Sequence, residues 1–145
     1  MMTYKQTNML TPTDAAYIAG IIDGEGTISL TRRHKNENRQ LEISIANTEI
    51  SLLNYLLKTI GTGRITKKRT YCDKHTPSAT YLVSNRQALY LLRQVFPFLR
   101  TYKNKRAELV LKNYLRLTPR NGKYNHNLLK EREKFVEAFL NTKPN

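Results

Sequence analysis

Glu25 stands between two glycines, in Gly24-Glu25-Gly26, at the end of an apolar run that begins near Ala15. Acids are scarce in this chain: 11 Asp and Glu face 25 Lys and Arg over 145 residues. A carboxylate at the C-terminal end of a helix meets the negative end of the helix dipole. It therefore calls for a counter-charge, and a bound cation is the obvious one. The other chemically capable residues do not assemble into a site. Cys72 and His75 could form half of a zinc site, but His34 and His126 lie at unrelated spacings. No phosphate-cradling glycine motif and no Ser/His/Asp arrangement occurs.

The element that must hold Glu25 is a helix. Thr11 is a good N-cap, Pro12 suits the first helical position, and the Asp14 carboxylate can reach back to the cap. At about 100° per residue, Tyr17, Ile18, Ile21 and Ile22 cover one side, and Ala16, Ala19, Gly20 and Asp23 the other. Gly20 inside a helix costs about 1 kcal/mol relative to alanine. Ala16, Gly20 and Gly24 repeat a small residue at every fourth position, a pattern that lets two backbones approach closely.

Ile18-Ala-Gly-Ile-Ile-Asp-Gly-Glu-Gly26 resembles the LAGLIDADG motif, departing from it only at Ile18, Ile21, Gly24 and Glu25. The flanking Ala-Ala-Tyr and Thr-Ile-Ser-Leu are also similar to members of that family. The remaining composition fits. The formal net charge is +14 and the isoelectric point about 10.1, which points to a polyanionic partner. A single cysteine excludes an internal disulfide and suits an intracellular setting, organelle or prokaryotic cytoplasm alike. No apolar run approaches the roughly 20 residues of a membrane span, so no membrane partner is expected.

The length suits one domain, 1–145, with 1–10 as a loose arm. Beyond the motif helix, 27–33 and 40–46 alternate as strands, with Ile28, Leu30, Leu41, Ile43 and Ile45 inward. Residues 49–60 read as a helix capped by Thr48 and stopped by Gly61. A basic strand spans 64–71 and a fourth spans 78–83, where Leu82 is placed inward and Tyr81 and Val83 outward. Helices follow over 85–96, stopped by Pro97, then over 103–117 and 127–140. This order matches the family's α+β architecture: an αββαββα core with an antiparallel, saddle-shaped sheet and additional C-terminal helices. Alternation turns Ser29, Thr31, Arg33, Gln40, Glu42, Ser44, Arg64, Thr66 and Lys68 to the uncovered face. With Tyr81, these are the donors and acceptors expected to meet DNA bases and phosphates in the major groove.

The resemblance implies an intron-encoded homing endonuclease. Such a protein binds a long, roughly palindromic double-stranded DNA site and cuts both strands across the minor groove, leaving 3′ overhangs. A single motif implies a homodimer, with Ala16, Ala19, Gly20, Asp23 and Gly24 in the interface. It also implies Mg²⁺, with Mn²⁺ or Ca²⁺ as substitutes in vitro, held by Glu25, its symmetry mate and the Gly24 carbonyl. By position, Lys103 and Glu49 match residues around the cleaved phosphate. A further basic family position falls here near Leu53. A non-cleaving binder on the same scaffold, or an RNA maturase acting on its own intron RNA, is the competing reading; the retained carboxylate of Glu25 favours the enzyme.

Overall fold

A computed structural model describes residues 5–67 and 77–144. The chain runs α1 (Pro12–Glu25), β1 (Gly26–Thr31), β2 (Gln40–Asn47), α2 (Ile50–Ile60), β3 (Arg64–Lys67), β4 (Ala79–Ser84), α3 (Asn85–Val95), a 3₁₀ turn (Phe96–Phe98), α4 (Lys103–Asn113) and α5 (His126–Asn141). The strands form one antiparallel sheet in the order β1-β2-β4-β3. This is the expected α+β, αββαββα arrangement with further helices at the C-terminus. Lys68, the outer part of the expected third strand, Cys72 and His75 lie outside the described residues. Among the described residues no helix is long and apolar enough to cross a membrane.

Helix α1 starts as its sequence demands. The Thr11 hydroxyl accepts from the Asp14 backbone N–H and donates to the Asp14 carboxylate. Its rotation differs from expectation. Ala15, Ile18, Ala19 and Ile22 face the core, whereas Tyr17 is 54% exposed. Two side-chain anchors set this rotation. The Asp23 carboxylate accepts from the backbone N–H groups of Arg100 and Thr101 and from the Thr101 hydroxyl. Tyr17 packs edge-on against Tyr55, whose hydroxyl donates to Asp14. Ala19, expected at an interface, is fully buried in the chain's own core.

One sheet face is covered by helices and carries Ile28, Leu30, Leu41, Ile43, Ile45, Tyr81 and Val83. The fourth strand therefore faces opposite to expectation. Tyr81 is fully buried and its hydroxyl donates to the Thr62 carbonyl, which satisfies the polar tip of an otherwise apolar ring. Leu82 is turned outward in its place. Other ends shift for local reasons. Strand β1 stops at Thr31, leaving Arg33 in the turn. Glu49, not Thr48, occupies the N-cap of α2 without a side-chain capping bond. Helix α4 ends at Asn113 rather than at Leu117, and Asn125 caps α5 by accepting from the Leu128 N–H. The described part of the N-terminal arm is pinned. Asn8 N–H donates to the Ile60 carbonyl, Leu10 N–H to the Gln94 side chain, and Gln87 to the Lys5 carbonyl.

The C-terminal helices cover the open edge of β1 with guanidinium groups. Arg106 donates to the Ile28 and Thr142 carbonyls, both at 2.8 Å, and lies over Phe139. Arg132, only 3% exposed, donates to the Leu117 and Arg39 carbonyls and to the Thr118 hydroxyl. An edge strand otherwise presents unpaired backbone groups. Here Arg106 of α4 satisfies one of them, the Ile28 carbonyl, and Arg132 of α5 fixes the base of the β1–β2 turn at Arg39.

Two contacts lock the end of α1 to β1 and α4. A Cβ on Gly26 would lie 2.8 Å from Ile22 Cα and 3.3 Å from Ile45 Cγ1, so only glycine lets the chain turn directly from helix into strand. Lys103, 7% exposed, donates from Nζ to the Ile22 carbonyl at 2.7 Å and the Asp23 carbonyl at 2.8 Å. A cation there also complements the helix dipole. Burial holds its pKa below the ordinary 10.5, against an opposing pull from Asp23.

Gly26→Ala should lower stability in urea unfolding by about 1–3 kcal/mol, the usual range for overpacking. The lysine makes a pH-dependent prediction. Between its lowered folded pKa and the unfolded value of 10.5, the unfolded chain binds the extra proton, so stability contributed by this group rises with pH. Tyr55, pushed up to about 12 by burial and then by its bond to Asp14, acts in the opposite direction above pH 10, equally in wild type and variant. Unfolding monitored from about pH 8 to about pH 10 should therefore show wild type gaining on Lys103→Met as pH rises.

Candidate catalytic and nucleic-acid interface

Glu25 is the last residue of α1 and is exposed. Its Oε2 accepts a hydrogen bond from the Asn47 side-chain amide, whose own oxygen accepts from the Glu49 backbone N–H at 2.8 Å. Asn47 thus bridges the end of α1 and the start of α2 and fixes the orientation of the carboxylate. The Glu49 side chain makes no hydrogen bond among the described residues. It is the Glu49 backbone, through Asn47, that reaches Glu25. The sequence did carry a signal for Asn47. The inward series of β2, Leu41, Ile43 and Ile45, ends in an amide where the pattern asks for an apolar residue. The register places Ile45 opposite Gly26, so Asn47 falls beside the helix end.

Lys103 approaches the same helix end from inside the chain, through the Ile22 and Asp23 carbonyls. Its ammonium offsets the negative end of the dipole under Glu25 and leaves the carboxylate free on the outside. Asp23, expected at an interface, instead holds the loop before α4 through Arg100 and Thr101. Among the described residues no three His, Cys, Asp or Glu side chains gather closely enough to hold a metal. A single chain thus offers one carboxylate, Glu25, with backbone oxygen such as that of Gly24 beside it. Oxygen donors of this kind suit a hard divalent cation.

Ala16, Gly20 and Gly24 are exposed, and with Tyr17, Ile21, Glu25 and Leu52 they line a shallow open hollow. A Cβ on Gly20 or on Gly24 would meet nothing within 4 Å. Among the described residues nothing requires either glycine, in contrast to Gly26.

The uncovered sheet face is read from the strand register. Thr27, Ser44, Leu82 and Arg64 form one row across the sheet; Ser29, Glu42 and Ser84 form the next; Thr31 and Gln40 lie farthest from Glu25; Ala46, Thr80 and Thr66 make a row on the other side. Ser29, Thr31, Gln40, Glu42, Ser44, Arg64 and Thr66 therefore share one surface. Tyr81 does not, because it is buried on the opposite face. Thr80, Leu82 and Ser84 were missed because the facing of β4 was reversed: its alternation of similar-sized Tyr, Leu and Val carries little polarity contrast.

The family model described as LAGLIDADG endonuclease matches residues 18–111. No curated protein matches the chain. Among solved structures, the homing endonuclease I-CvuI, crystallised with a DNA target in the presence of Mg, is 18% identical. It aligns with a TM-score of 0.72 over 90% of this chain and 82% of its own. The homing endonuclease I-TnaI is 19% identical, with a TM-score of 0.60 over 93% of this chain and 97% of its own. The meganuclease I-SmaMI, bound to uncleaveable DNA, is 17% identical with a TM-score of 0.64. The alignment there covers 94% of this chain but only 47% of that longer one. These likenesses carry the fold, and the family match spans most of the sequence, from the first motif residue into α4. The chain belongs to the LAGLIDADG endonuclease family.

Proposed function

We propose that this protein is a site-specific, divalent-metal-dependent DNA endonuclease that works as a homodimer on a long, roughly palindromic site and leaves 3′ overhangs. One observation carries the reading: the motif helix keeps two glycines open to the outside, with no use among the described residues, and its exposed carboxylate, Glu25, stands at the same end. A two-fold interface is self-complementary. Packing α1 against its own copy would place Gly20 and Gly24 against small residues and bring two Glu25 side chains together. The aligned segment of I-SmaMI, about half of that chain, is consistent with two such units acting together.

Each group then has a task. Glu25 and its symmetry mate, with backbone oxygen at Gly24, would hold the ion. Bound divalent metal supplies a nucleophilic water and stabilises the leaving oxygen. Asn47 holds the Glu25 carboxylate in one orientation. Lys103 keeps the helix end electrostatically balanced beneath it. The polar face of β1, β2, β4 and β3 enters the major groove, which admits a β-ribbon. Arg64 and the turn residue Arg33 supply positive charge at its borders.

Gly20→Leu should prevent the helices from meeting and leave a folded monomer that does not cut; sedimentation showing an unchanged, active dimer would remove this interface. Glu25→Gln is nearly isosteric and deletes one negative charge per subunit. It should still retard target DNA in a gel, since binding is spread over the sheet. Cleavage with Mg²⁺ should fall by orders of magnitude, because without the ion the water is not acidified into a nucleophile. Cutting at close to the wild-type rate would refute the active-site assignment.

A further inference from the structure

We propose that Glu42 reads a cytosine in each half-site by accepting a hydrogen bond from the exocyclic amino group of that base. The inference rests on the DNA-endonuclease reading and adds a specificity determinant to it.

The observation is an anomaly of charge. The chain carries a formal net charge of +14, yet the centre of the face meant for a polyanion holds a carboxylate. Among the described open-face residues of the four strands, all others are hydroxyl, amide or apolar side chains, or Arg64. A carboxylate near phosphates weakens binding to every sequence through like-charge repulsion. Such a group is useful only where it discriminates.

The geometry leaves Glu42 free to do so. Its carboxylate makes no hydrogen bond or ion pair among the described residues; the Ser29 hydroxyl donates to its backbone carbonyl at 3.4 Å. Its cross-strand neighbours are Ser29 on β1 and Ser84 on β4. Both are short, so the longer glutamate stands above its row. Arg64 sits in the adjacent row, opposite Leu82. Glu42 is half-buried, between Leu41 and Ile43, which point into the core.

The chemistry then selects the base. An ionised carboxylate is an acceptor only. In the major groove the exocyclic donors are cytosine N4 and adenine N6, and adenine sets its N7 acceptor beside that donor. A carboxylate is repelled by N7, so cytosine is preferred. Same-face residues on a strand are about 6.8 Å apart, close to two base-pair steps of about 3.4 Å. The cytosine should therefore lie inside the half-site, between the positions met by Ser44 and Gln40, and recur in the other half-site by symmetry.

The test selects double-stranded DNA from a randomised library with wild type, Glu42→Gln and Glu42→Ala, scoring base preference at every position. Wild type should favour cytosine at one symmetric pair of positions by about ten-fold. Glu42→Gln should shift that pair alone toward adenine, since an amide matches the adenine donor and acceptor together. Glu42→Ala should lose the preference without replacing it, and should bind random-sequence DNA more tightly at low salt. If wild type selects a palindromic site while both variants keep its preferences at every position, the assignment of Glu42 is overturned and the endonuclease reading stands. If wild type selects no sequence at all, both fall together.

Discussion

The C-terminal end of α1 is the constraint on which the rest of the structure depends. A helix end exposes carbonyls and carries partial negative charge, and this chain places a carboxylate there as well. The arrangement holds because the charge is answered from the inside. Lys103 donates to two of the terminal carbonyls and Gly26 N–H to one of them. Asp23 turns away to hold the loop that starts α4. Glu25 is thereby left on the outside, held among the described residues by Asn47. The internal lysine ties the helix end to α4, and the external carboxylate remains exposed.

That division explains the glycines. Gly26 is fixed by its own chain, because the helix backbone and Ile45 crowd the space a Cβ would occupy. Gly20 and Gly24 face empty space. The helix accepts about 1 kcal/mol of destabilisation at an interior glycine, and among the described residues nothing nearby requires it. The same helix thus packs on its own sheet through Ala15, Ile18, Ala19 and Ile22 and offers a small-residue face away from it.

The C-terminal helices contribute less visibly. Arg106 and Arg132 carry charge into the interior and direct it at backbone carbonyls of β1, of the β1–β2 turn and of the chain end. Aromatic rings, Phe139 for Arg106 and Tyr114 and Tyr124 for Arg132, lie against the guanidinium planes. The positive charge of this chain is therefore not all surface charge. Part of it sets the position of the strand and turn that border the open face.

The sequence by itself determined the order of elements, the capped start of α1, the inward faces of β1 and β2, and Glu25 as the chemically distinctive group. These come from periodicity and from residue types whose preferences are local: Thr11 with Pro12 and Asp14, alternating isoleucines, glycine on both sides of an acid. Only the tertiary structure decided the rotation of α1, the facing of β4 and the partner of Glu25. The rotation was undecided because Ile21 and Tyr17 are as apolar as Ile18 and Ile22, and long-range bonds from Asp23 and Tyr55 tipped the balance. The facing of β4 depended on Thr62, in the loop leading into the neighbouring strand β3, offering its carbonyl to the Tyr81 hydroxyl. Asn47 reaches Glu25 only because strand register brings together residues that lie 22 apart in the chain. Local pattern fixes which way a strand or helix wants to form; which of two plausible faces is buried is set by partners that the pattern does not contain.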